Sequence, residues 1–415
     1  MKFTIAVAGL AALLAAPLVL AGAQITNAGL AAELVVPDRY IVKYKDNVDP
    51  ERRRKHEDYI DKKAKKSNKM GIVHKLNLKG LSGYVVEIPS EDMKDVTSSE
   101  LVDYVERDGI VKLEAVAVDP STLKKRASLM QLNAPWGLGR ISHRTPSYSD
   151  YYWDSTAGQN VRVYVVDSGI QTSHAEFEGR AVWGANLVAS SPDVDENGHG
   201  THVAGTVGGK TFGVARKATL VAVKVLKADG SGSYSGIIAG IQWAVSNATD
   251  QGIVNKSVIN MSVGGLVSPA LNNAVKQATD AGITFVVAAG NSNLDAIGFS
   301  PASAPSAITV GASDGTDQRA WFSNWGLSVD LFAPGVAVLS SVIGSSNTGT
   351  AYYTGTSMAA PHVAGLAAYF IARDGLTGAA VAQKILDVAT NGALDTASLL
   401  LSPNKLAFND SPNHH

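Results

Sequence analysis

The chain contains no cysteine. That one absence excludes a disulfide framework, a thiol nucleophile and a cysteine zinc site. With 415 residues the chain can bury a core large enough to do without such staples. Charge is also sparse: 18% of residues are Asp, Glu, Lys or Arg, and the net charge is −1. No basic excess exists to hold a polyanion, so nucleic acid is not expected as a partner. Long apolar runs are missing everywhere except at the start. There, Met1-Lys2, an apolar stretch over 5–20 and Ala21-Gly22-Ala23 read as a secretory signal peptide covering 1–23. Nothing later reaches the roughly 18 consecutive apolar residues of a membrane span. The processed protein is therefore expected outside the cell, free of the membrane.

What charge there is lies unevenly. Residues 24–126 hold 20 basic and 18 acidic side chains, whereas 127–415, a much longer stretch, hold 15 and 19. Charge density drops about threefold at this boundary, from a small charged domain to a large glycine-rich one. The basic run over 62–69 reads as a solvated helix face. In the first domain, strand patterns at 40–44, 73–76, 83–88 and 101–106 flank a charged helical stretch at 50–66. The second domain alternates strand-like runs (161–166, 220–226, 257–261, 283–288, 307–310) with helical ones (236–246, 270–281, 357–372). Such alternation predicts an α/β fold, a mostly parallel sheet with helices on both faces, whose strand ends gather on one edge.

Three places in the second domain carry chemistry. Asp167 ends the β-branched run Val161-Arg162-Val163-Tyr164-Val165-Val166. A carboxylate at the carboxyl end of a buried strand lies where open α/β sheets build their sites, although a lone aspartate there is as readily a turn or cap. His199 stands between two glycines in Gly198-His199-Gly200-Thr201-His202, where backbone can approach a substrate. The His199 and His202 pair lacks the His-Glu-x-x-His pattern of a zinc site. Ser357 follows Gly355-Thr356 and opens an apolar run over 359–371, which places it in the first turn of a buried helix. Unpaired N–H groups at that turn favour negative charge developing nearby. A serine needs a base, and the base an orienting group. The order Asp, His, Ser is the one the subtilisin fold uses, in contrast to chymotrypsin and the α/β-hydrolases.

The three motifs together, Val-Val-Asp-Ser-Gly, Gly-His-Gly-Thr-His-Val-Ala-Gly and Gly-Thr-Ser-Met-Ala-Ala-Pro-His-Val-Ala-Gly, resemble the subtilase family of serine proteases. Within it the chain is similar to the secreted fungal proteinase K-like branch. Val203 stands where that branch often has a cysteine, and the lack of disulfides is closer to the cuticle-degrading proteases of nematode-trapping fungi. The resemblance implies a broad endopeptidase acting through Asp167, His199 and Ser357, with Asn291 and the Ser357 N–H as oxyanion donors. His199 must start neutral to act as a base, so activity should fade on acidification.

Other features follow from the same resemblance. Residues 24–126 are similar to the inhibitor-type propeptide of subtilases, a ferredoxin-like α+β domain that inhibits its own protease. The mature start is expected near Ala127, after Lys124-Lys125-Arg126, by self-cleavage or by a dibasic-processing enzyme. Ser231, Gly232 and Tyr234 match the edge that pairs with extended substrate; Ser262, Val263 and Gly264 match the opposite wall. With Ala288, Ala289, Gly290 and Phe299 they imply a roomy apolar primary pocket and a preference for apolar or aromatic residues before the cut. Asp330, with the carbonyls of Pro305 and Ala307, matches a structural calcium site. No catalytic cofactor is implied; the partners are protein and peptide substrates, and the protein is expected as a monomer. The segment 311–315 fits a Gly-x-Ser-x-Gly hydrolase elbow, but polar residues follow where the elbow needs a helix, so it is expected to be a surface loop. Glycosylation sequons occur at Asn247, Asn255, Asn260 and Asn409; Asn260 lies in a strand expected to be buried, and the other three are open to a glycan.

Overall fold

The computed structural model describes residues 22–113, 116–118, 130–146 and 149–411. Most of the expected signal peptide and the boundary at Ala127 lie outside these residues. Among the described residues no helix is long and apolar enough to cross a membrane.

The large unit is built on a nine-stranded sheet. Within it Arg162–Asp167 is flanked in parallel by Thr219–Lys224 on one side and Ser257–Met261 on the other. Thr284–Ala288, Ile308–Ser313 and Leu331–Pro334 continue the parallel order outward. These strands are apolar on both faces because both are covered. Alternate side chains of the central strand serve different layers. Val163 and Val165 join a core with Val203, Ala204 and Val207 of the helix His199–Gly208 and with the buried face of Thr356–Asp374. Tyr164 and Val166 join the opposite core with the helices Tyr234–Asp250 and Pro269–Asp280. The alternation of strand and helix in the sequence thus becomes a three-layer α/β unit. The helix bounds differ from those expected by a few residues at each end.

The small unit is an antiparallel sheet in the order Val102–Lys112, Val35–Tyr44, Leu81–Glu87, Gly71–Leu78. It carries the helix Pro50–Lys66 and the short helix Met93–Thr97. Asp49 caps the long helix by accepting from the N–H groups of Glu51 and Arg52 at 3.0 Å each, and Pro50 fits its first turn. Period-two alternation again assigns the faces. Val42, Tyr44, Tyr84 and Val86 pack with Ile60 and Ala64 of that helix. Ile41, Val85, Leu76 and Leu81 point the other way and enter the core of the large unit, against its two outer helices. The small unit, residues 35–112, therefore covers one face of the large unit.

Two expectations need correction. Residues 311–313 are not a surface loop: they belong to the strand Ile308–Ser313, and Ser313 is fully buried. The chain turns only at Asp314, whose carboxylate accepts from Thr316 N and Gln318 N. No helix follows at once, so the elbow is absent, as the polar residues after it implied. Asn409 is also fully buried. Its amide donates to the Tyr152 carbonyl at 2.6 Å and its oxygen accepts from Ser411 N, so the folded chain cannot carry a glycan there. Asn260 is buried as expected, and Asn255 is exposed.

Candidate active site

Three strand or helix ends converge on one edge of the sheet. Asp167 is the last residue of the central strand, fully buried. Its Oδ1 and Oδ2 lie 2.8 and 3.0 Å from His199 Nδ1, and Oδ1 also accepts from Ser168 N at 2.7 Å. His199 opens its helix directly after Gly198, whose φ of +95° suits glycine. With Nδ1 held by the carboxylate, Nε2 faces away from it and has no hydrogen-bond partner among the described residues. That is the nitrogen a base needs free.

Ser357 sits in the first turn of the helix Thr356–Asp374. Its Oγ donates to the Ser262 carbonyl at 2.9 Å, and Ser262 Oγ donates back to the Ser357 carbonyl at 3.0 Å. The second bond has a cause in the sequence. Pro361 lies four residues after Ser357 inside the helix and lacks the N–H that would otherwise bond that carbonyl. Ser262 supplies the missing donor and fastens the wall strand to the nucleophile turn.

Asn291 follows the strand Thr284–Ala288. Its Oδ1 accepts from Thr356 N at 2.7 Å and from Thr356 Oγ1 at 2.8 Å, and Thr356 Oγ1 in turn accepts from Gly290 N. Both donors claim the oxygen, so the amide nitrogen is the end left for the cavity that Asn291 lines together with Ser357. Gly290, at φ +101°, has Asn324 so close that a Cβ would meet its Nδ2 at 2.4 Å.

That cavity is also lined by Ser262, Val263, Gly264, Ala288, Ala289, Gly290 and Phe299, the residues expected to form the primary pocket. Thr356, Gly265, Ser300 and Ala302 join them. It measures about 60 Å³, with Lys112 and Leu113 of the N-terminal unit in its lining. Ser231 and Gly232 lie on the expected edge: Ser231–Ser233 pairs antiparallel with the end of Val102–Lys112, Gly232 opposite Val111, and Leu113 N donates to the Gly230 carbonyl at 3.2 Å. Tyr234 does not line the cavity. It is buried, and its hydroxyl donates to the Leu266 carbonyl. Farther along, Val116–Val118 pairs antiparallel with Thr350–Thr354, Val116 opposite Thr354. The N-terminal chain thus pairs with one wall of the cleft before Glu114 and with the strand leading to Ser357 after Ala115.

Two groups escaped sequence reading. Glu106 and Asp108, both fully buried, reach from the small unit to the helices of the large one. Glu106 accepts from Ala270 N at 2.6 Å and Ser268 Oγ at 2.7 Å; Asp108 accepts from Ser235 N at 2.9 Å and Ser235 Oγ at 2.6 Å. Burial pushes the Glu106 carboxyl up to about 7 and that of Asp108 to about 6. The signal was their spacing of two in one strand, which puts both on one face.

Metal chemistry finds little support near the histidines. His202 is fully buried, bonded through Nε2 to the Val338 and Ala351 carbonyls and stacked on Tyr353; desolvation lowers its pKa to about 3. Among the described residues no group of three or more His, Cys, Asp or Glu could hold a metal. Asp330 fits a cation on other grounds. It lines a cavity of about 390 Å³ with Pro305 and Ala307. Thr309 N occupies its Oδ2 at 2.8 Å, and burial raises its pKa, a cost that a neighbouring cation would offset.

The Subtilase family model (Peptidase S8) matches residues 158–402, and the Peptidase inhibitor I9 model matches 39–114. The chain belongs to the subtilase family of serine peptidases, in a precursor that carries its own inhibitor-type propeptide. It is 48% identical over 403 residues to "Subtilisin-like protease 2" of Pseudogymnoascus destructans, covering 95% of this chain and 96% of that one. "Subtilisin-like protease 1" of the same organism is 47% identical over 367 residues, 88% of this chain and 87% of that one. Among solved structures, a cold adapted subtilisin-like serine proteinase is similar at 43% identity with a TM-score of 0.62, covering 66% of this chain and 98% of its own.

Proposed function

We propose that the mature protein is a secreted, monomeric endopeptidase of broad specificity that prefers apolar or aromatic residues before the cut bond. The observation that carries the preference is the lining of the primary cavity: among the described residues the only charged one in it, Lys112, belongs to the propeptide. Backbone pairing along Ser231–Ser233 binds extended peptide with little demand on sequence. Val263 at the wall adjusts the size of the apolar site.

His199 Nε2 takes the Ser357 proton as Oγ attacks the peptide carbonyl. This requires Oγ to leave the Ser262 carbonyl. Asp167 fixes the imidazole tautomer and stabilises its charged form. Asn291 Nδ2 and the Ser357 N–H hold the oxyanion. His199 then protonates the leaving amine, and water repeats the sequence on the acyl-enzyme. No cofactor takes part. A calcium ion held by Asp330 and the carbonyls of Pro305 and Ala307 would serve stability, since such oxygens suit it.

Maturation follows from the register of the tail. Self-cleavage between Leu113 and Val116 is the reading supported by the bond of Leu113 N to one wall of the cleft and the pairing of Val116 with the strand leading to Ser357. Removal of the remainder, up to a mature start near Ala127, is a second step for which Lys124-Lys125-Arg126 offers a dibasic site. The test is a digest of a mixed peptide library by mature protein, with Ser357→Ala as the control. Cuts after apolar and aromatic residues, lost in the variant, support the reading. Cuts confined to Lys or Arg, or activity surviving Ser357→Ala, defeat it.

A further inference from the structure

The turn that carries His199 and the turn that carries Asp167 come from different elements, yet their side chains meet within 3.0 Å. Something must hold the two turns together. Asp195, four residues before His199, is 7% exposed and makes five hydrogen bonds. Its Oδ1 accepts from Asn197 N at 3.0 Å, Gly198 N at 2.9 Å and Ser168 Oγ at 2.8 Å. Its Oδ2 accepts from Thr201 N at 3.0 Å and Thr201 Oγ1 at 2.6 Å.

Ser168 completes the link. It follows Asp167 directly, its N–H binds the Asp167 carboxylate, and its Oγ accepts from Gly200 N at 2.9 Å. The N–H groups of residues 197, 198, 200 and 201 are all met by Asp195 or Ser168, and that of His199 by Asn197 Oδ1 at 3.2 Å. A helix start normally leaves such donors to water. Here they become the means by which the imidazole is aimed at its carboxylate.

Asp195 also has an electrostatic task. The positive end of the helix His199–Gly208 disfavours a second positive charge on the imidazole at its first residue. An aspartate wrapped around that end offsets it when His199 takes a proton. The charged and titratable groups packed around this point are Asp167 and the buried Lys224 on neighbouring strands, Glu196 beside Asp195, His202 on the same helix and Tyr353 stacked on it. Lys224 is held by the Ser168 and Leu226 carbonyls and by Glu196.

We infer that Asp195 is a positioning residue for the peptidase reaction, coupling the His199 helix start to the Asp167 turn through Ser168. This rests on the roles assigned above to His199 and Asp167. Two variants separate its tasks. Asp195→Asn keeps the shape and one acceptor but removes the charge and one N–H acceptor. Ser168→Ala keeps the charge but cuts the link between turns.

Both are measured as mature protein on a peptide substrate, with kcat and KM separated, a pH profile and a thermal melt. Ser168→Ala should lower kcat by about 10- to 100-fold with KM within about threefold, since small misplacements of a reacting group have costs of that order. Asp195→Asn should lower kcat at least as far and also move the acidic limb of the kcat/KM profile to lower pH, because the charged imidazole loses its counter-charge. The double variant should lose less than the product of the two. Unchanged kcat in Ser168→Ala with a normal melt overturns the link. An unmoved acidic limb in Asp195→Asn overturns the electrostatic part. If Asp195→Asn does not fold, Ser168→Ala alone decides, and its limb should stay in place. Loss of all activity in Ser357→Ala with none of these effects would leave the general mechanism standing and remove only Asp195 from it.

Discussion

The hold of the propeptide on the enzyme should depend on two carboxylates, Glu106 and Asp108. Each docks on a helix start of the catalytic unit that already has its own cap: Ser268 Oγ accepts from Leu271 N, and Ser233 Oγ accepts from Gly236 N. The carboxylates therefore take donors that face water once the propeptide leaves. Replacing either with alanine removes two hydrogen bonds: it strands a backbone N–H under the remaining propeptide and takes one acceptor from a serine hydroxyl. Hydrogen bonds to charged groups contribute about 1.5–3 kcal/mol, and stranded buried donors cost about 1–3 kcal/mol. Part of this is offset because each carboxylate no longer has to be desolvated. A net loss of about 2 kcal/mol per site corresponds to a roughly 30-fold weaker inhibition constant. The assay is inhibition of mature protease by the separately produced segment 22–113, wild type against Glu106→Ala and Asp108→Ala.

The pH dependence has a definite sign. Burial is the largest influence on both groups and raises both, against the opposing pull of their hydrogen bonds. A group with a higher pKa in the complex binds its proton more tightly there. Its contribution is fully present below the ordinary carboxyl pKa of about 4 and is lost as pH climbs through about 6 for Asp108 and about 7 for Glu106. Inhibition should weaken between about pH 4 and 7, and Glu106→Gln should flatten the curve. Inhibition constants within threefold of wild type for both alanine variants would refute the argument, and tighter binding at higher pH would refute its sign.

Four further outcomes are expected. Asn291→Ala should cut kcat by roughly 100- to 1,000-fold, the magnitude measured for the corresponding donor in subtilisin itself, with KM little changed in steady-state assays. Ser357→Ala should accumulate as an uncut precursor, whereas wild type caught early by mass spectrometry should show a first new terminus between Leu113 and Val116. Asp330→Asn, or a calcium chelator with wild type, should lower the melting temperature while leaving initial kcat at 25 °C intact. Arg140→Ala should destabilise the protein by about 3–5 kcal/mol in denaturant titration. Arg140 is 3% exposed and grips Asp317 through Nε at 2.7 Å and Nη2 at 3.0 Å, so its removal strands a buried carboxylate.

The strand ending at Asp167 and the helix opening at Ser357 were legible because local pattern and local chemistry coincide there. An apolar run ends in a carboxylate, and a small-residue turn begins a buried helix. Even Pro361, which reads as an oddity inside a helical run, makes sense once Ser262 is found bonding the carbonyl it leaves free. What escaped reading depends on partners far away in sequence. Glu106 and Asp108 look like surface charges in a half-buried strand until Ser268 and Ser235 arrive more than 120 positions later. Asp195 reads as a turn residue, since nothing near it announces Ser168. Asn409 carries a sequon in a polar tail, and only the packing of that tail on Tyr152 and Ile141 hides it.

The antiparallel pairings on both sides of Ser357 have a kinetic consequence. On the self-cleavage proposed above, the first peptide bond offered to this serine belongs to the same molecule and lies between two segments, one ending at Leu113 and one starting at Val116, that are each paired to the cleft. Its encounter with the serine needs no diffusion, so the first cut should follow first-order kinetics with a half-life independent of precursor concentration. Later release of the propeptide is the step that dilution should speed, because a dissociated inhibitor is then less readily recaptured. One molecule thus meets two clocks in succession, the first internal to the chain and the second set by its surroundings.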